Sequence, residues 1–450
     1  MKYLHFLIII PIFLLILYKQ LMIPRYNRPK IEAIWSDHNK YKIWTDIECL
    51  IAEQLSNLGT IPNEAAIEIK KKAKFSVEEI NQIEKETKHD VIAYINNVSN
   101  YIGEQSKYFH YGVTSSDIVD TSFSIQLKQS SEIITEQLKK LITELKRRSE
   151  EHKNTIMIGR SHGIHAEPIT FGLKLRSFYF EFKRNLKRLN LATEEISICA
   201  ISGPVGTYNS IDPSVEKFVA EKLKLKVENI STQIIPRDRH AYFFATLGII
   251  ASSIERLSVE IRHLQRTELL EVEEFFNKGQ KGSSSMPHKR NPILSENLTG
   301  IARYIRSGVI PSMENIALWH ERDISHSSVE RILAPDITIA TDFALSRLTE
   351  IIKNLIVYPE NMKDNLNKLG GLHKSQNILL ALIKKGLSRQ DAYNIVQGSA
   401  IKSWNSKKRF EDILLYNEEV TELLTNDEIK EILYGEDKID NIEWIFKNNI

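Results

Sequence analysis

The most informative stretch of the 450-residue chain, the polar segment KGQKGSSSMPHKRNPILSEN at 278–297, carries residues that could perform proton chemistry. It interrupts two apolar, helix-like runs with glycines, serines and prolines, which is typical of a functional loop. Its serines, Lys289 and Asn291 offer hydroxyls, a cation and an amide donor. Such groups can hold a carboxylate while the neighbouring carbon loses a proton, because the developing charge spreads onto the carboxylate oxygens. Composition alone leaves a flexible surface loop as the alternative.

A second candidate is the histidine pair in GRSHGIHAEP at 159–168, His162 and His165. An imidazole suits a general acid because its ordinary pKa of about 6.5 lets it carry a proton near neutrality. A metal pair is the alternative, but no cysteine or carboxylate set completes the coordination. The segments SGPVGT and GQKG lack the glycine spacing and the strand–helix context of phosphate or dinucleotide loops. We expect neither a metal nor a cofactor.

Long amphipathic helices must position these residues. Three apolar stripes recur at spacings of three and four: Ile134, Leu138, Leu141 and Leu145; Leu175, Phe178, Phe182, Leu186 and Leu189; Ile254, Leu257, Ile261 and Leu264. Such near-heptad stripes predict helices packed in a bundle. Stripes this long exceed what one chain can cover, so we expect several chains to associate through them.

Residues that break helices are scarce, since 18 glycines and 13 prolines make up about 7% of the chain against about 12% in ordinary proteins. This depletion predicts an all-α protein. We expect three helical domains: an N-terminal helical domain at 22–112, a central long-helix bundle at 113–362 and a C-terminal helical domain at 363–450. No regular apolar–polar alternation predicts a sheet.

The first 21 residues form an apolar extension that needs its own explanation. The run from Leu4 to Tyr18 would rise only about 22 Å as a helix, short of the ~30 Å hydrocarbon core, and Pro11 interrupts it. No small-residue cleavage site follows. We expect Met22 to be the working start and residues 1–21 to be an upstream extension; a weak membrane anchor is the alternative.

The charge balance restricts the kinds of partner. Lysine and arginine total 60 and aspartate and glutamate total 58, so the excess positive charge of a dedicated nucleic-acid binder is missing. Two cysteines, Cys49 and Cys199, are too few for a disulfide framework and fit a reducing compartment. We expect a cytoplasmic protein that takes small-molecule substrates and binds neither nucleic acid nor membrane.

The loop at 282–292, GSSSMPHKRNP, matches the signature GSSxMPxKxNP of the fumarase/aspartase superfamily at every fixed position. Within it, the chain resembles the bacterial adenylosuccinate lyase family from Met22 almost to the C-terminus. Six further segments carry the resemblance: RYNRP at 25–29, KHDV at 88–91, HYGVTSSDIVDT at 110–121, GRSHGIHAEP at 159–168, STQIIPRDRH at 231–240 and WHERDISHSSVER at 319–331.

The resemblance implies a carbon–nitrogen lyase of purine biosynthesis. It would eliminate fumarate from adenylosuccinate, giving AMP, and from SAICAR, giving AICAR, as a homotetramer with shared active sites. Ser283 would be the general base and His162 the general acid, with Lys289 stabilising the serine alkoxide and Glu296 orienting the imidazole. No cofactor is implied, because the elimination needs only a base, an acid and electrostatic stabilisation.

The resemblance also implies a set of substrate contacts, in which arginine's planar fork suits phosphate and carboxylate. The matching residues are Arg25, Tyr26, Arg322 and Arg331 for the phosphate and nucleotide, His110, Thr114 and Ser115 for the succinyl side, and His89, Asp90, Gln233, Ser284, Asn291 and Ser327 for other substrate contacts. Outside a matching motif, each arginine would be interpreted as part of a solvated helix face. One departure is Ser161, where the family usually has threonine; the hydroxyl is kept.

Three other functions are weighed against this lyase. A non-catalytic bundle of the same ancestry predicts a broken catalytic set, yet Ser283, Lys289, His162 and Glu296 are all present. A membrane-anchored binding protein would use residues 1–21, and the rest of the sequence does not support it. An argininosuccinate lyase-like member of the superfamily has no phosphate to bind, so the RYNRP and RDISHSSVER segments speak against it.

Overall fold

The structure, a computed structural model, describes residues 22–276, 279, 281–282, 284–435 and 439–448. The chain begins with a short 3₁₀ turn at Pro24–Tyr26 and an N-terminal group of helices. They are α1 Pro29–Glu32, α2 Asp37–Asn57, α3 Asn63–Lys72, α4 Val77–Thr87 and α5 Asp90–Ile102, with 3₁₀ turns at Ala33–Trp35 and Gly103–Tyr108. The helix α2 stops at Asn57, just before Gly59 and Pro62, two residue types that commonly end helices.

The central part contains the long helices that the apolar stripes predict. They are α6 Ser115–Glu151, α7 Phe171–Ile196, α8 Pro213–Leu223, α9 Asp238–Leu264, α10 Ile293–Ser307, α11 Val309–Glu314 and α12 Ser325–Asn354. All but one of the predicted stripe residues are buried in a single hydrophobic cluster, and the exception, Leu186, packs against that cluster. Burial of these side chains on α6, α7 and α9 provides the main driving force for the bundle.

The long helices share two ends, defined here by the arginine at each. At the Arg237 end, its guanidinium lies 2.6 Å from Asp120 on α6 and 2.7 Å from Glu330 on α12, just before α9 begins. At the Arg148 end, its Nη2 donates to the Leu355 carbonyl at 2.5 Å, joining the last turns of α6 and α12. Asp120 and Arg148 both lie on α6, and the helical rise between them places the two ends about 42 Å apart.

The expectation of no sheet is wrong in detail, since the described residues contain three two-stranded sheets. The antiparallel hairpin pairs β1 (Ile156–Ser161) with β2 (Ile164–Thr170), β3 (Ile198–Cys199) runs parallel to β4 (Lys226–Val227), and β5 (Val272–Glu273) pairs antiparallel with β6 (Ile356–Val357). Four of these strands have only two residues each, and β1, with the sequence IMIGRS, does not alternate apolar with polar residues. The all-α class still describes the protein.

The C-terminal part is a set of shorter helices. They are α13 Pro359–Asn367, α14 Ser375–Lys384, α15 Arg389–Ser406, α16 Phe410–Leu415, α17 Glu418–Thr421, α18 Asn426–Tyr434 and α19 Ile442–Lys447, with a 3₁₀ turn at Leu372–Lys374. A separate hydrophobic cluster spans Ile378 to Leu433, and another unites the N-terminal helices with residues 199–225. The domain boundaries at 112/113 and 362/363 stay a prediction.

Among the described residues, one helix, α9, has the length and apolar composition of a membrane span. In its most apolar window, 61% of the residues are buried inside the protein. The helix packs against α7, α10 and α12 and contributes Phe243, Leu247 and Ile250 to the main hydrophobic cluster. We therefore interpret α9 as the core helix of the bundle.

Candidate active site

A cleft of about 1460 Å³ opens at the Arg237 end, between the N-terminal helices and the first turns of α12. Arg331 reaches across it, with Nη2 at 2.6 Å from Asp90 Oδ2, and its Nε donates to Ser327 Oγ at 3.3 Å. Arg322 donates from Nη1 to Gln233 Oε1 at 3.1 Å. Burial favours the neutral form of Asp90, but Arg331 overrides it and lowers the pKa of this carboxyl. Five predicted substrate contacts therefore lie together.

His89 precedes α5 at the edge of the same cleft and caps that helix. Its Nδ1 accepts a hydrogen bond from the Ile92 backbone N–H at 3.4 Å, and Nδ1 is 3.7 Å from Asp90 Oδ1. The ring remains exposed, with 48% of its side chain accessible. An imidazole whose Nδ1 accepts from the backbone carries its proton on Nε2, which leaves Nε2–H as a donor for a ligand.

His110 lies against a buried carboxylate. Its Nδ1 is 2.6 Å from Oε1 of Glu48, whose side chain is 0% exposed. Burial by itself disfavours the imidazolium, but the Glu48 hydrogen bond and charge raise the pKa of His110 above its ordinary value. The pair thus favours a positive charge on His110, as a contact to a substrate carboxylate requires.

Thr114 and Ser115 stand where α6 begins. Asp117 Oδ2 accepts from the Thr114 N–H at 2.8 Å, and Oδ1 accepts from the N–H groups of Ser202 and Gly203 at 3.0 and 3.2 Å. Burial raises the pKa of Asp117 to about 6 in spite of these three donors. The carboxylate ties the start of α6 to the 202–203 turn and so fixes the two hydroxyl-bearing residues.

Behind the cleft lies a buried charge network centred on Arg237, whose side chain is 1% exposed. It pairs with Asp120 and Glu330, and Glu330 Oε2 also lies 3.0 Å from His326 Nδ1. Burial would raise the pKa of Glu330, but Arg237 and the His326 hydrogen bond hold it at about 2. His326 Nε2 is in turn 3.3 Å from Arg322 Nε, so the network reaches the cleft wall.

His162 lies at the other end of the bundle, at the tip of the β1–β2 hairpin. Ser161 pairs with Ile164, which leaves His162 and Gly163 as a two-residue turn with φ of 54° and 79°, the signs of a type I′ turn. Ile164 beside it is 61% exposed. The hairpin geometry separates His162 in the turn from His165 on β2, so the two do not share one helical face.

The serine-rich loop is also at the Arg148 end. It is connected to the hairpin through β5, since Arg160 of β1 binds the nearby Glu271 at 2.7 Å, and Glu273 of β5 binds Arg290 at 3.0 Å. Within the loop, Asn291 Nδ2 donates to the Gly282 carbonyl at 3.0 Å. Ser284 and Lys289 are exposed, and Ser283, the predicted base, lies outside the described residues.

The loop leads into α10, whose start is held by the buried carboxylate of Glu274. This carboxylate accepts from the backbone N–H groups of Leu294 and Ser295 at 3.0 and 2.7 Å. Glu296 occupies the exposed first turn of α10. Such capping by a carboxylate is favourable because the first N–H groups of a helix lack intrahelical partners.

Arg25 and Tyr26 approach this same region. The Tyr26 hydroxyl accepts from Asn297 Nδ2 on α10 at 3.1 Å, and its ring lies 5.1 Å from Phe343 on α12. Arg25 is exposed in the 3₁₀ turn. The predicted phosphate contacts are thus divided, with two near α10 and two, Arg322 and Arg331, at the Arg237 end.

One chain therefore gathers the predicted residues into two groups. At the Arg237 end are His89, Asp90, His110, Thr114, Ser115, Gln233, Arg322, Ser327 and Arg331; toward the Arg148 end are Arg25, Tyr26, His162, Ser284, Lys289, Asn291 and Glu296. The length of α6, about 55 Å, lies between His110 and His162. One bound nucleotide cannot touch both His110 and His162 of the same chain.

The sequence-based prediction missed the buried partners of these residues. Asp117, Asp120, Arg237, His326 and Glu330 all lie inside motifs that carry the resemblance, but no role was assigned to them. Glu48 lies outside those motifs. Glu48 shares one face of α2 with Trp44, Ile51 and Leu55, and this placement could have revealed it in the sequence. A carboxylate on an apolar helix face requires a buried partner.

Comparison with known proteins decides the family. Residues 25–307 match the family described as "Lyase", and residues 371–448 match "Adenylosuccinate lyase C-terminus". The chain is 50% identical over 426 residues to "Adenylosuccinate lyase" of Synechocystis sp., which covers 94% of this chain and 99% of that protein. The chain belongs to the adenylosuccinate lyase family. The Bacillus subtilis adenylosuccinate lyase is also 50% identical over 426 residues, covering 95% of this chain and 99% of that protein.

Solved structures agree with the fold of this adenylosuccinate lyase family member. A fumarate lyase from Mesorhizobium sp. BNC1 has a TM-score of 0.86 at 23% identity, covering 94% of this chain and 97% of that chain. The 3-carboxy-cis,cis-muconate lactonizing enzyme from Pseudomonas putida has a TM-score of 0.85 at 25% identity, covering 94% of this chain and 96% of that chain. The first of these shares the fold alone.

Proposed function

We propose that the chain eliminates fumarate from adenylosuccinate, giving AMP, and from SAICAR, giving AICAR. The observation that carries the proposal is 50% identity over 426 residues to proteins named adenylosuccinate lyase, with almost their whole length covered. The chain keeps Ser283, Lys289, Glu296 and His162 at the matching positions. Family membership alone does not choose a substrate, so the proposal also depends on the arginines that line the cleft.

The reaction divides between a base and an acid. The Ser283 alkoxide removes a proton from the succinyl CH2 group, the carbon adjacent to the one that bears the nitrogen, and becomes a hydroxyl. The electron pair forms the carbon–carbon double bond, the C–N bond breaks, and the leaving nitrogen takes a proton from His162. Lys289 supports the alkoxide, and Glu296 orients His162 when the two meet in the assembled site.

The cations at the Arg237 end suit the other parts of the substrate. Arg331 and Arg322, with Ser327 and Gln233 beside them, present guanidinium donors to the cleft, where a phosphate can bind in a bidentate manner. His110, made more basic by Glu48, suits a succinyl carboxylate together with Thr114 and Ser115 at the start of α6. These side chains supply cationic donors at the points where the phosphate and the succinyl carboxylate would bind.

The active site is shared between chains in this proposal, in a homotetramer. The supporting observation is that His110 lies at one end of the long helices and His162, with the serine-rich loop, at the other, and these helices are about 40 to 55 Å long. An arrangement in which helices of neighbouring chains run antiparallel brings the Arg237 end of one chain to the Arg148 end of another. The exposed Ile164 next to His162 fits a hairpin tip that a second chain covers.

We propose that the protein works in the cytoplasm. Mass spectrometry of the native N-terminus tests this placement. A peptide that begins at Met22 or Ile23 supports it, whereas peptides from Lys2 to Lys19 recovered in a membrane fraction would support an anchor instead.

Fumarate release is the direct test of the proposed activity. The purified protein should release fumarate from adenylosuccinate and SAICAR, while argininosuccinate, which carries no phosphate, should not be turned over. Exhaustive chelation should leave the rate unchanged. Turnover of argininosuccinate alone would overturn the proposed substrate assignment. A loss of activity on chelation that zinc restores would indicate that His162 and His165 are metal ligands.

A further inference from the structure

Arg322 on the wall of the cleft is held from behind by a buried histidine. His326, 3% exposed and in the first turn of α12 just after Arg322 in the chain, places Nε2 at 3.3 Å from Arg322 Nε. On the other side of the guanidinium, Nη1 donates to Gln233 Oε1 at 3.1 Å. Two of the three guanidinium nitrogens therefore have fixed acceptors inside the protein.

The hydrogen bonds determine which His326 nitrogen carries the proton. An arginine can only donate, so Nε2 of His326 must accept from Arg322. Nδ1 then bears the hydrogen and donates it to Glu330 Oε2 at 3.0 Å. Arg237 Nη2 also lies 3.1 Å from Nδ1, but it has carboxylate acceptors in Asp120 and Glu330. His326 is thus a neutral imidazole with one tautomer.

Glu330 is suited to hold this tautomer because it stays ionised. Arg237 donates to it from Nε at 2.7 Å and from Nη2 at 3.1 Å, and a bidentate arginine fixes the carboxylate plane. Asp120 anchors the same arginine on α6. The orientation of Arg322 is therefore connected through His326 and Glu330 to the rigid start of the bundle.

We propose that His326 is a positioning residue for Arg322: its neutral ring accepts the Nε hydrogen and aims the remaining guanidinium hydrogens at an oxyanion of the nucleotide substrate. The inference rests on the proposed function for the identity of that substrate. An unrestrained arginine side chain loses rotamer freedom when it binds a ligand, and a side chain already fixed avoids most of that cost.

Two substitutions of His326 separate hydrogen bonding from burial. His326→Leu keeps a side chain of similar size but removes the acceptor, and we expect KM for adenylosuccinate to rise about tenfold, the upper range for one released side chain. The kcat should stay within about threefold, because binding in the ground and transition states is weakened alike. His326→Gln, whose side-chain oxygen can accept from Arg322, should recover most of the affinity.

The matched control is His240→Leu. His240 is also 3% exposed at the Arg237 end, but its ring stacks on Phe123 at 5.3 Å and not against a cleft arginine. Its replacement should leave KM unchanged. Circular dichroism and melting temperature establish that every variant is folded before the kinetic constants are compared.

A double-mutant cycle distinguishes positioning from a general structural role. If His326 acts through Arg322, adding His326→Leu to Arg322→Ala should not raise KM further, whereas independent effects multiply. The affinity for AMP, measured by calorimetry, gives the same cycle without turnover. A folded His326→Leu protein with unchanged KM and AMP affinity, or multiplicative effects in the cycle, would overturn the inference. If the AMP affinities show the expected non-additivity but the wild-type protein releases no fumarate, only the proposed function would be overturned.

Discussion

Two histidines of the candidate site have left-handed backbone, His110 with φ of 58° and His162 with φ of 54°. Positive φ is uncommon outside glycine and costs of order 1 kcal/mol or more, so it persists where the surrounding structure enforces it. Pairing with buried Glu48 fixes His110, and the two-residue turn fixes His162. At the residue scale, the fold holds both imidazoles at positions that ordinary helix or strand geometry does not provide.

The division of labour between Ser283 and His162 makes the sharpest residue-scale prediction. Each acts mainly in the transition state, so Ser283→Ala and His162→Ala should each lower kcat about 10²- to 10⁴-fold while KM changes far less. The double variant should lose less than the product, because both residues serve one elimination. Steady-state fumarate release measures this. Near-normal turnover by either single variant would remove that residue from the mechanism.

The buried carboxyl of Asp342 should make the stability of the fold depend on pH, independently of catalysis. Burial raises its pKa from 3.8 to about 6, although Arg28 lies 2.7 Å away and opposes the shift. Because the folded pKa exceeds the unfolded one, this carboxyl favours the folded state most at low pH, and the contribution falls as pH rises from about 4 to 6. The contribution of Asp342 to the free energy of unfolding should fall by about 3 kcal/mol over this pH range.

Asp342→Asn should remove that slope. The melting temperature of the wild type minus that of the variant should therefore decrease between pH 4 and pH 7 and remain constant above. A parallel course of the wild-type and Asp342→Asn melting temperatures across this range would contradict the assignment.

At the scale of elements, the serine-rich loop folds back on itself at Gly282. A Cβ at this position would lie 2.0 Å from the Lys289 carbonyl oxygen, and Asn291 already binds the Gly282 carbonyl. Gly282→Ala should therefore displace Lys289 and lower kcat about 10²-fold, the usual effect of a 1 Å misplacement. The melting temperature should change little, because the loop is exposed and outside the hydrophobic clusters.

Gly398→Ala is the matched control for the loop variant. Gly398 lies within α15, and a Cβ there meets no atom within 4 Å. Alanine at this helical position should be neutral or stabilise by about 0.5–1 kcal/mol, with kcat unchanged. Equal kcat values for the two variants would show that the tight approach at Gly282 does not matter to catalysis.

The elements differ in how far the sequence predicts them. Long helices are predictable because many residues repeat one spacing, so the stripe on α6 determines both the helix and its buried face. The β1–β2 hairpin was not predicted because its turn, His162–Gly163, lacks the usual Asn-Gly or Asp-Gly pair. Pairs such as His110 and Glu48, 62 residues apart, depend on tertiary packing, which local spacing does not encode.

At the scale of the whole molecule, the separation of the two site groups makes oligomerisation a condition of activity. Mixed oligomers made from inactive Ser283→Ala and His162→Ala proteins should recover activity if one site takes these residues from different chains. Equal random mixing leaves about one site in four with both residues intact, so up to about a quarter of wild-type activity should return. Fumarate release after subunit exchange measures it.

The control mixes Ser283→Ala protein with the Ser283→Ala, His162→Ala double variant, which cannot rebuild an intact site. Light scattering should show a tetramer for the protein beginning at Met22, and mass spectrometry of differently labelled chains should confirm mixing. Verified mixing without recovered activity would place both residues in one chain. A fully active monomer would exclude the shared site altogether.

The long span of α6 has a consequence for how the gene can change. Each added residue advances a helix by 1.5 Å and turns it by about 100°, so one insertion in α6 shifts one half of the site relative to the other. Arg237, just before α9, binds Asp120 on α6 and Glu330 on α12, so a change in the length of α6 would have to be matched in the other two helices. Natural variation in length should therefore concentrate in the C-terminal helices and surface turns, and the lengths of the bundle helices should stay fixed among functional relatives.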